Sequence, residues 1–211
     1  IVTETGALDA GIAALVHKLK GNELVLIPIL MFIFSIGGTT YGMCEETVPF
    51  YLLLAATMVA AGFDSLTGAA VVLLGAGCGV LGSTVNPFAV GVAVDALSGI
   101  GIAVNQGIII ALGAILWLTT TIISIIFVMR YAKKVKADPK FSYSYEDREK
   151  FNAQWELDES GAAAREFSLR KKIVLVIFVA AFIIMIVGVM NLGWWFPQMA
   201  AEFVTLSILV M

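Results

Sequence analysis

Apolar residues fall in long blocks along this chain. Three kinds of polar feature separate them: short Gly-rich runs, isolated acidic residues and one extended charged stretch. Near the start, Leu8, Ile12, Leu15, Val16 and Leu19 recur at helical spacing beside His17, Lys18 and Lys20. That pattern predicts a short amphipathic helix lying in a membrane interface within residues 1–22, ended by Gly21 and Asn22. Residues 24–44 carry no charge, but only Leu24 to Ile36 is continuously apolar. A helix over that stretch spans about 20 Å, short of a hydrocarbon core of about 30 Å. Gly37-Gly38-Thr39-Thr40-Tyr41-Gly42 follows, poor helix and good turn material. Thr47 to Phe63 is a second apolar segment, which Pro49 can open. Two short helices around a polar tip predict a re-entrant hairpin over residues 23–63. Two ordinary spans joined by a loop are the alternative.

The next block is charge-free from Ser65 to Val94 but is interrupted by Gly82-Ser83-Thr84-Val85-Asn86-Pro87. Pro87 lacks a backbone donor and disfavours helix at Asn86. A helix that stops there and resumes at Phe88 predicts a discontinuous transmembrane helix over residues 64–98. Asn105 to Met129 is uncharged and long enough for an ordinary span, placed within residues 99–132. Residues 133–172 are polar, with charges of both signs, and predict a solvated linker with some helix. Ile173 to Asn191 is a further span, after which Trp194 and Trp195 fall where an aromatic belt lies. Pro197 opens one more apolar segment.

Composition sharpens this picture. Of 211 residues, 60% are apolar and 14% charged, with a mean hydropathy of +0.95. Soluble domains carry about 45–50% apolar and roughly 25% charged residues. A water-soluble globule, a disordered chain and a disulfide scaffold are therefore excluded. The net charge of −3 averages unlike regions, because every Lys and Arg except Lys18 and Lys20 lies between Arg130 and Lys172. The positive-inside rule puts that stretch in the cytoplasm. Lys18 and Lys20, if they obey it too, require an even number of crossings before Arg130. A hairpin contributing none, a broken helix and one span satisfy that count, and so would two full spans in place of the hairpin. The chain begins at Ile1 rather than Met and stops inside an apolar run, so it reads as a piece of a longer polypeptide, and no signal peptide is visible. Cys44 and Cys78 have no partner at metal-ligand spacing, and His17 reads as an interfacial helix residue.

Backbone that leaves the helix inside a bilayer is tolerated only where protein or a water-filled cavity satisfies its polar groups. Discontinuous helices are a recurring way in which transporters build sites. Gly37, Gly38, Thr39 and Thr40 at the first break, and Gly82, Ser83, Thr84, Asn86 and Pro87 at the second, are the candidate substrate- and ion-binding residues. Their hydroxyl and amide oxygens suit hard cations, and the hydroxyls can also donate to a carboxylate. Plainer readings stand beside this one. Gly75, Gly77 and Gly79 suit close helix packing, Asn86-Pro87 could be a kink, and Thr39 and Thr40 could cap the second hairpin helix. Glu45 and Glu46 are ionisable groups flanked by apolar runs, hence functional candidates. Placed in the first turn of the second hairpin helix, they would also be favoured by its dipole. Asp64 and Asp95 read as interfacial.

The segments GGTTYGMCEETVPF (37–50) and GAGCGVLGSTVNPFAVG (75–91), with TGALDAGIAALVHKLKG before them and MRYAKKVK after, resemble the YfcC branch of the C4-dicarboxylate anaerobic carrier family. The resemblance implies an all-α polytopic membrane protein of the ion-transporter superfamily. It implies two inverted repeats, each with a re-entrant helical hairpin and a discontinuous transmembrane helix. This chain would then be the first repeat, the linker, and the start of the second repeat (173–211). It implies site residues at the hairpin tip and at the unwound helix. Related sequences are linked to C4-dicarboxylates, to arginine–ornithine exchange and to short-chain fatty acids, but neither break holds an Arg or Lys to clamp a dicarboxylate. The expected function is ion-coupled secondary transport of a small organic acid or amino acid across the plasma membrane by alternating access. Exchange of the arginine/ornithine type is the alternative, and a channel with a re-entrant pore loop a further one. No enzyme activity, cofactor, structural metal or nucleic-acid partner is expected. Na⁺ or H⁺ is the expected coupling ion, the bilayer and a small solute are the partners, and a homodimer is compatible with this reading.

Overall fold

The computed structural model describes residues 5–19, 21–146, 168–192, 194 and 196–210. Lys20, residues 147–167 of the expected linker, and Trp195 lie outside the described residues. Among the described residues every regular element is helical: α1 (Ala7–Lys18), α2 (Glu23–Tyr41), α3 (Val48–Ala60), α4 (Ser65–Leu81), α5 (Val92–Gly99), α6 (Gln106–Ala137), α7 (Leu169–Leu192) and α8 (Phe196–Val210). Three of these contain stretches long and apolar enough to cross a membrane: Leu24–Tyr41, Gln106–Ala137 and Leu169–Val189.

The centre of the molecule is the packing of α2 on α4, with α3 and α6 flanking α4. Its core is apolar, with Leu26, Ile27, Leu30, Met31, Phe34, Leu54, Met58, Val71 and Val72 all buried in one cluster. Glycines set how closely the helices approach. A Cβ on Gly79 would stand 2.2 Å from the Ser35 carbonyl oxygen, one on Gly38 2.4 Å from the Ala76 carbonyl, and one on Gly68 2.6 Å from the Leu54 carbonyl. These helices therefore meet backbone to backbone, as small-residue membrane interfaces do. Gly75 takes part as well, against Met31, but a Cβ on Gly77 would meet nothing within 4 Å. Gly77 is thus an exception to the close-packing role expected of the three glycines.

The first break falls later than the sequence predicts. Rather than ending at Ile36, α2 runs through Gly37, Gly38, Thr39 and Thr40 to Tyr41. The cause is tertiary: Gly38 must lie flat against α4, and a continuous helix delivers it there. The chain turns at Gly42, whose φ of 77° is left-handed and suits glycine. Glu45 and Glu46 are not in the first turn of α3. They form a separate 3₁₀ turn, Glu45–Thr47, ahead of Val48, and α3 has no acidic residue in its first turn.

The second break lies where the sequence puts it. The helix α4 stops at Leu81, residues 82–86 are irregular, and a single π-turn, Pro87–Gly91, leads into α5. The helix α6 continues eight residues beyond the expected Met129, so Lys133, Lys134 and Lys136 belong to it rather than to a linker.

Near the start of α4, Asp64, which the sequence suggests is interfacial, is the centre of a polar knot. Asp64 is 9% exposed. Its Oδ1 caps α4, accepting from the Thr67 amide (2.9 Å) and hydroxyl (2.5 Å). Its Oδ2 accepts from Ser142 Oγ at 2.6 Å and from the Tyr131 hydroxyl. Tyr131 stacks on Tyr143 (centroids 5.7 Å apart), and Lys136 Nζ lies 4.6 Å from the Phe63 ring centroid. The α3–α4 turn, the last turns of α6 and the segment after it are thus tied together. Asp95, by contrast, is exposed.

The helices α7 and α8 run antiparallel. Met199 of α8 shares a cluster with Met185 and Val189 of α7, while Leu206 shares one with Val174 and with Ala7 of α1. Trp194 folds back on Gly188, where a Cβ would stand 2.3 Å from its ring.

Candidate functional site

The two breaks meet. At the end of α2 the Gly42 amide reaches the Gly38 carbonyl (3.1 Å) and the Met43 amide reaches the Gly37 carbonyl (3.2 Å). Met43 would ordinarily donate to Thr39, so the Thr39 carbonyl falls off the helical ladder. The second break supplies its partners. The Thr84 amide donates to the Thr39 carbonyl at 3.0 Å, and the Thr84 hydroxyl donates to the same oxygen at 3.1 Å. In return the Thr39 hydroxyl donates to the Gly82 carbonyl at 2.7 Å and lies 3.2 Å from the Thr84 hydroxyl. Each irregular stretch satisfies the polar groups that the other exposes, as a low-dielectric surround demands.

Asn86 organises the exit from the second break. Its Oδ1 accepts from the Phe88 amide (2.9 Å) and the Ala89 amide (3.3 Å), capping the π-turn that Pro87 opens. Its Nδ2 donates to Ser83 Oγ at 3.1 Å, and Ser83 Oγ donates to the Val80 carbonyl at 2.6 Å. A Cβ on Gly42 would lie 2.8 Å from Asn86 Nδ2, so the Gly42 backbone sits directly against the Asn86 amide. Thr39 and Asn86 are each only 2% exposed.

Behind this junction stands α6. A Cβ on Gly113 would meet the Ser83 carbonyl oxygen at 2.3 Å, and one on Gly82 would meet the Trp117 amide nitrogen at 2.2 Å. Trp117 stacks on Phe32 of α2, with ring centroids 5.9 Å apart. Sequence reasoning treated α6 as an ordinary span. The available signal was Gly113, a lone glycine inside an otherwise bulky apolar run.

The structure therefore brings together Gly38, Thr39, Gly82, Ser83, Thr84 and Asn86, with Pro87 adjoining. Gly37 lies against its own turn, where a Cβ would meet Met43 Sδ at 2.7 Å. The Thr40 hydroxyl turns back to the Ile36 carbonyl of its own helix at 2.7 Å. Glu46 accepts from the Cys44 amide at 3.4 Å, a contact within its own loop. The Glu45 side chain lies outside the described residues. Cys44 is exposed, and buried Cys78 sits 3.1 Å from Ser124 Oγ, so the two cysteines are free and apart.

Chemically the junction offers oxygen: three hydroxyls, one side-chain amide and the carbonyls at the helix ends, with no charged group among its bonded members. Among the described residues no group of three or more His, Cys, Asp or Glu could hold a metal ion. A neutral oxygen set of this kind fits a monovalent cation or a solute's polar groups better than a transition metal.

Comparison with known proteins places the chain among carriers. An uncharacterized protein of Haemophilus influenzae (strain ATCC 51907 / DSM 11121 / KW20 / Rd) is 41% identical over 212 residues, covering 100% of this chain and 40% of the relative. A protein of Escherichia coli (strain K12) whose name proposes a basic amino acid antiporter, YfcC, is 34% identical over 210 residues, again covering 100% of this chain and 40% of the relative. The chain thus spans about 40% of the length of these curated relatives. No solved structure matches it. The family model for the C4-dicarboxylate anaerobic carrier, DcuC, matches residues 1–211. This multi-pass membrane chain belongs to the C4-dicarboxylate anaerobic carrier family.

Proposed function

We propose that the chain is the first repeat, and the start of the second, of an ion-coupled secondary transporter that moves a small organic acid or amino acid across the plasma membrane by alternating access. The observation that carries this reading is the junction itself. The last turn of α2 and the non-helical stretch after α4, both inside apolar sequence, are bonded to each other through Thr39, Gly82 and Thr84. Such a junction is where a carrier holds solute and ion near mid-membrane. Depth supports it. Gly113 and Trp117 lie within the uncharged part of α6, about 10 to 17 Å from its start at the helical rise.

The helix pair α2–α3 acts as a re-entrant hairpin in this proposal. Two contacts favour it: α1, which precedes α2, touches α3, and Phe63 just after α3 meets Lys136 at the basic end of α6. The basic residues of 133–172 then face the cytoplasm. Na⁺ or H⁺ drives transport.

For the substrate, a basic amino acid is the second reading. It is favoured by the lack of any Lys or Arg among the bonded residues of the junction and by the name of the Escherichia coli relative. The test is uptake and counterflow by the full-length protein in liposomes. Arginine, ornithine and succinate are offered with and without Na⁺ and pH gradients. Gradient-dependent transport of one class, lost in Asn86→Ala with normal expression, supports the proposal. Conductance far above about 10³ ions per second would mean a channel instead.

A further inference from the structure

One ionisable residue remains unused by that reading. Glu202 is the only charged residue between Ile173 and Met211, and it stands inside the apolar helix α8. It lies three residues after Met199 and four before Leu206, both buried, so all three share one face of the helix. That face packs into two apolar clusters, Met199 against Val85, Val94, Met185 and Val189, and Leu206 against Ala7 and Val174. Glu202 falls between them. The side chain is half-buried, but both of its carboxyl oxygens are buried, and among the described residues neither has a hydrogen-bond partner.

An isolated ionised carboxylate in such surroundings is costly and tends to be neutralised. Among the described residues, the elements packed on α8 offer no counter-charge at that level. The turn Pro87–Gly91 has no titratable side chain. On α7 the charged groups are Arg170, Lys171 and Lys172, before the Val174 level that Leu206 already marks. On α1, which meets Leu206 through Ala7, His17 and Lys18 are exposed at the other end of the helix, and Asp9 carries no positive charge. Asp95 on α5 is exposed. A proton is the cation that fits without opening the packing.

We propose that Glu202 is a proton-binding site that couples proton movement to the substrate junction, an inference that rests on the transporter reading above. The physical link is short. The Asn86 carboxamide caps the turn Pro87–Gly91, and that turn packs on α8. When the junction rearranges, the turn shifts and α8 parts from its neighbours. Glu202 then meets water and releases its proton. Closure takes one up.

The test uses the full-length protein. Dicyclohexylcarbodiimide attacks protonated carboxyl groups in apolar surroundings, and peptide mass spectrometry reads the site. Glu202 should be modified in the wild type at mildly acidic pH, less so at alkaline pH. In liposomes, Glu202→Gln should lose uptake of arginine or succinate driven by a pH gradient while keeping counterflow of the same solute. An unmodified Glu202, or pH-driven uptake that survives Glu202→Gln, overturns the proposal. So does a variant that folds but loses counterflow, because Glu202 would then hold solute instead. If Glu202→Gln does not fold, labelling of the wild type decides alone. Wild-type protein that labels at Glu202 but counterflows none of the solutes counts against the transporter reading and not against the proton site.

Discussion

Replacing Gly79 by alanine should drive α2 and α4 apart, whereas the same change at Gly77 should be tolerated. The two glycines lie two residues apart in one helix and differ only in what faces them. The Cβ of Gly79→Ala would stand 2.2 Å from the Ser35 carbonyl oxygen and 2.8 Å from the Gly38 Cα, where ordinary contact begins at 3.4 Å. Backbone cannot rotate out of the way, so the helices must separate by about 1 Å. Overpacking of that kind costs about 1–3 kcal/mol. The separation also stretches the 2.7, 3.0 and 3.1 Å bonds that join Thr39 to Gly82 and Thr84. Each such bond contributes about 1 kcal/mol, so loss of all three gives a total of about 4–6 kcal/mol. At Gly77 no atom lies within 4 Å, and alanine is the better helix former by about 1 kcal/mol. The assay is thermal unfolding of full-length protein in one detergent, followed by size-exclusion chromatography, with solute uptake measured in parallel. Gly79→Ala should unfold several degrees lower and transport poorly, and Gly77→Ala should match or exceed the parent. Equal behaviour of the two variants would refute the close approach of α2 to α4.

Thr39→Val should cost about 1–3 kcal/mol by leaving the buried Gly82 carbonyl short of a donor, whereas Thr39→Ser, which keeps the hydroxyl, should cost less than about 1 kcal/mol in the same unfolding assay. Asp64→Ala removes the α4 cap and the acceptor for Ser142 and Tyr131. It should destabilise by about 2–4 kcal/mol and expose the segment after α6 to limited proteolysis, while Asp64→Asn, which still caps, should lose less. For the hairpin, cysteines introduced as Asn22→Cys and Ala61→Cys, with Cys44 and Cys78 replaced, should both react with an impermeant maleimide from the cytoplasmic side. Reaction of the two from opposite sides would make α2–α3 a spanning pair.

The second break was legible because its signal is local: Pro87 cannot continue a helix, and Gly82 to Thr84 do little to prolong one. The first break was harder. Gly37 and Gly38 look like turn formers in isolation, but Gly38 serves a tertiary contact with α4 while Gly37 lies against Met43 of its own turn, and nothing in residues 37–42 alone reveals that the helix survives to Tyr41. The bonds from Thr39 to Gly82 and Thr84 join residues more than forty positions apart, a distance across which periodicity says nothing. Asp64 illustrates the same limit. An aspartate beside a Phe reads as interfacial, and nothing in the local sequence shows that Tyr131 and Ser142 close over it. Glu202 could have been found from sequence, since a lone carboxylate in a charge-free run is conspicuous. Its lack of partners is visible only once α8 is packed.

The length of α6 has a bearing on how this protein responds to its lipid. Its apolar part is long enough to cross a bilayer, and Lys133, Lys134 and Lys136 cluster at its other end, placed to reach a headgroup layer. In a membrane built from shorter acyl chains, a helix of this length is accommodated by leaning over or by local thickening of the bilayer. Because Gly113 and Trp117 carry the second break on their backbone, leaning the helix would swing the junction with it. Acyl-chain length is thus a lever on the position of the junction that alters no side chain.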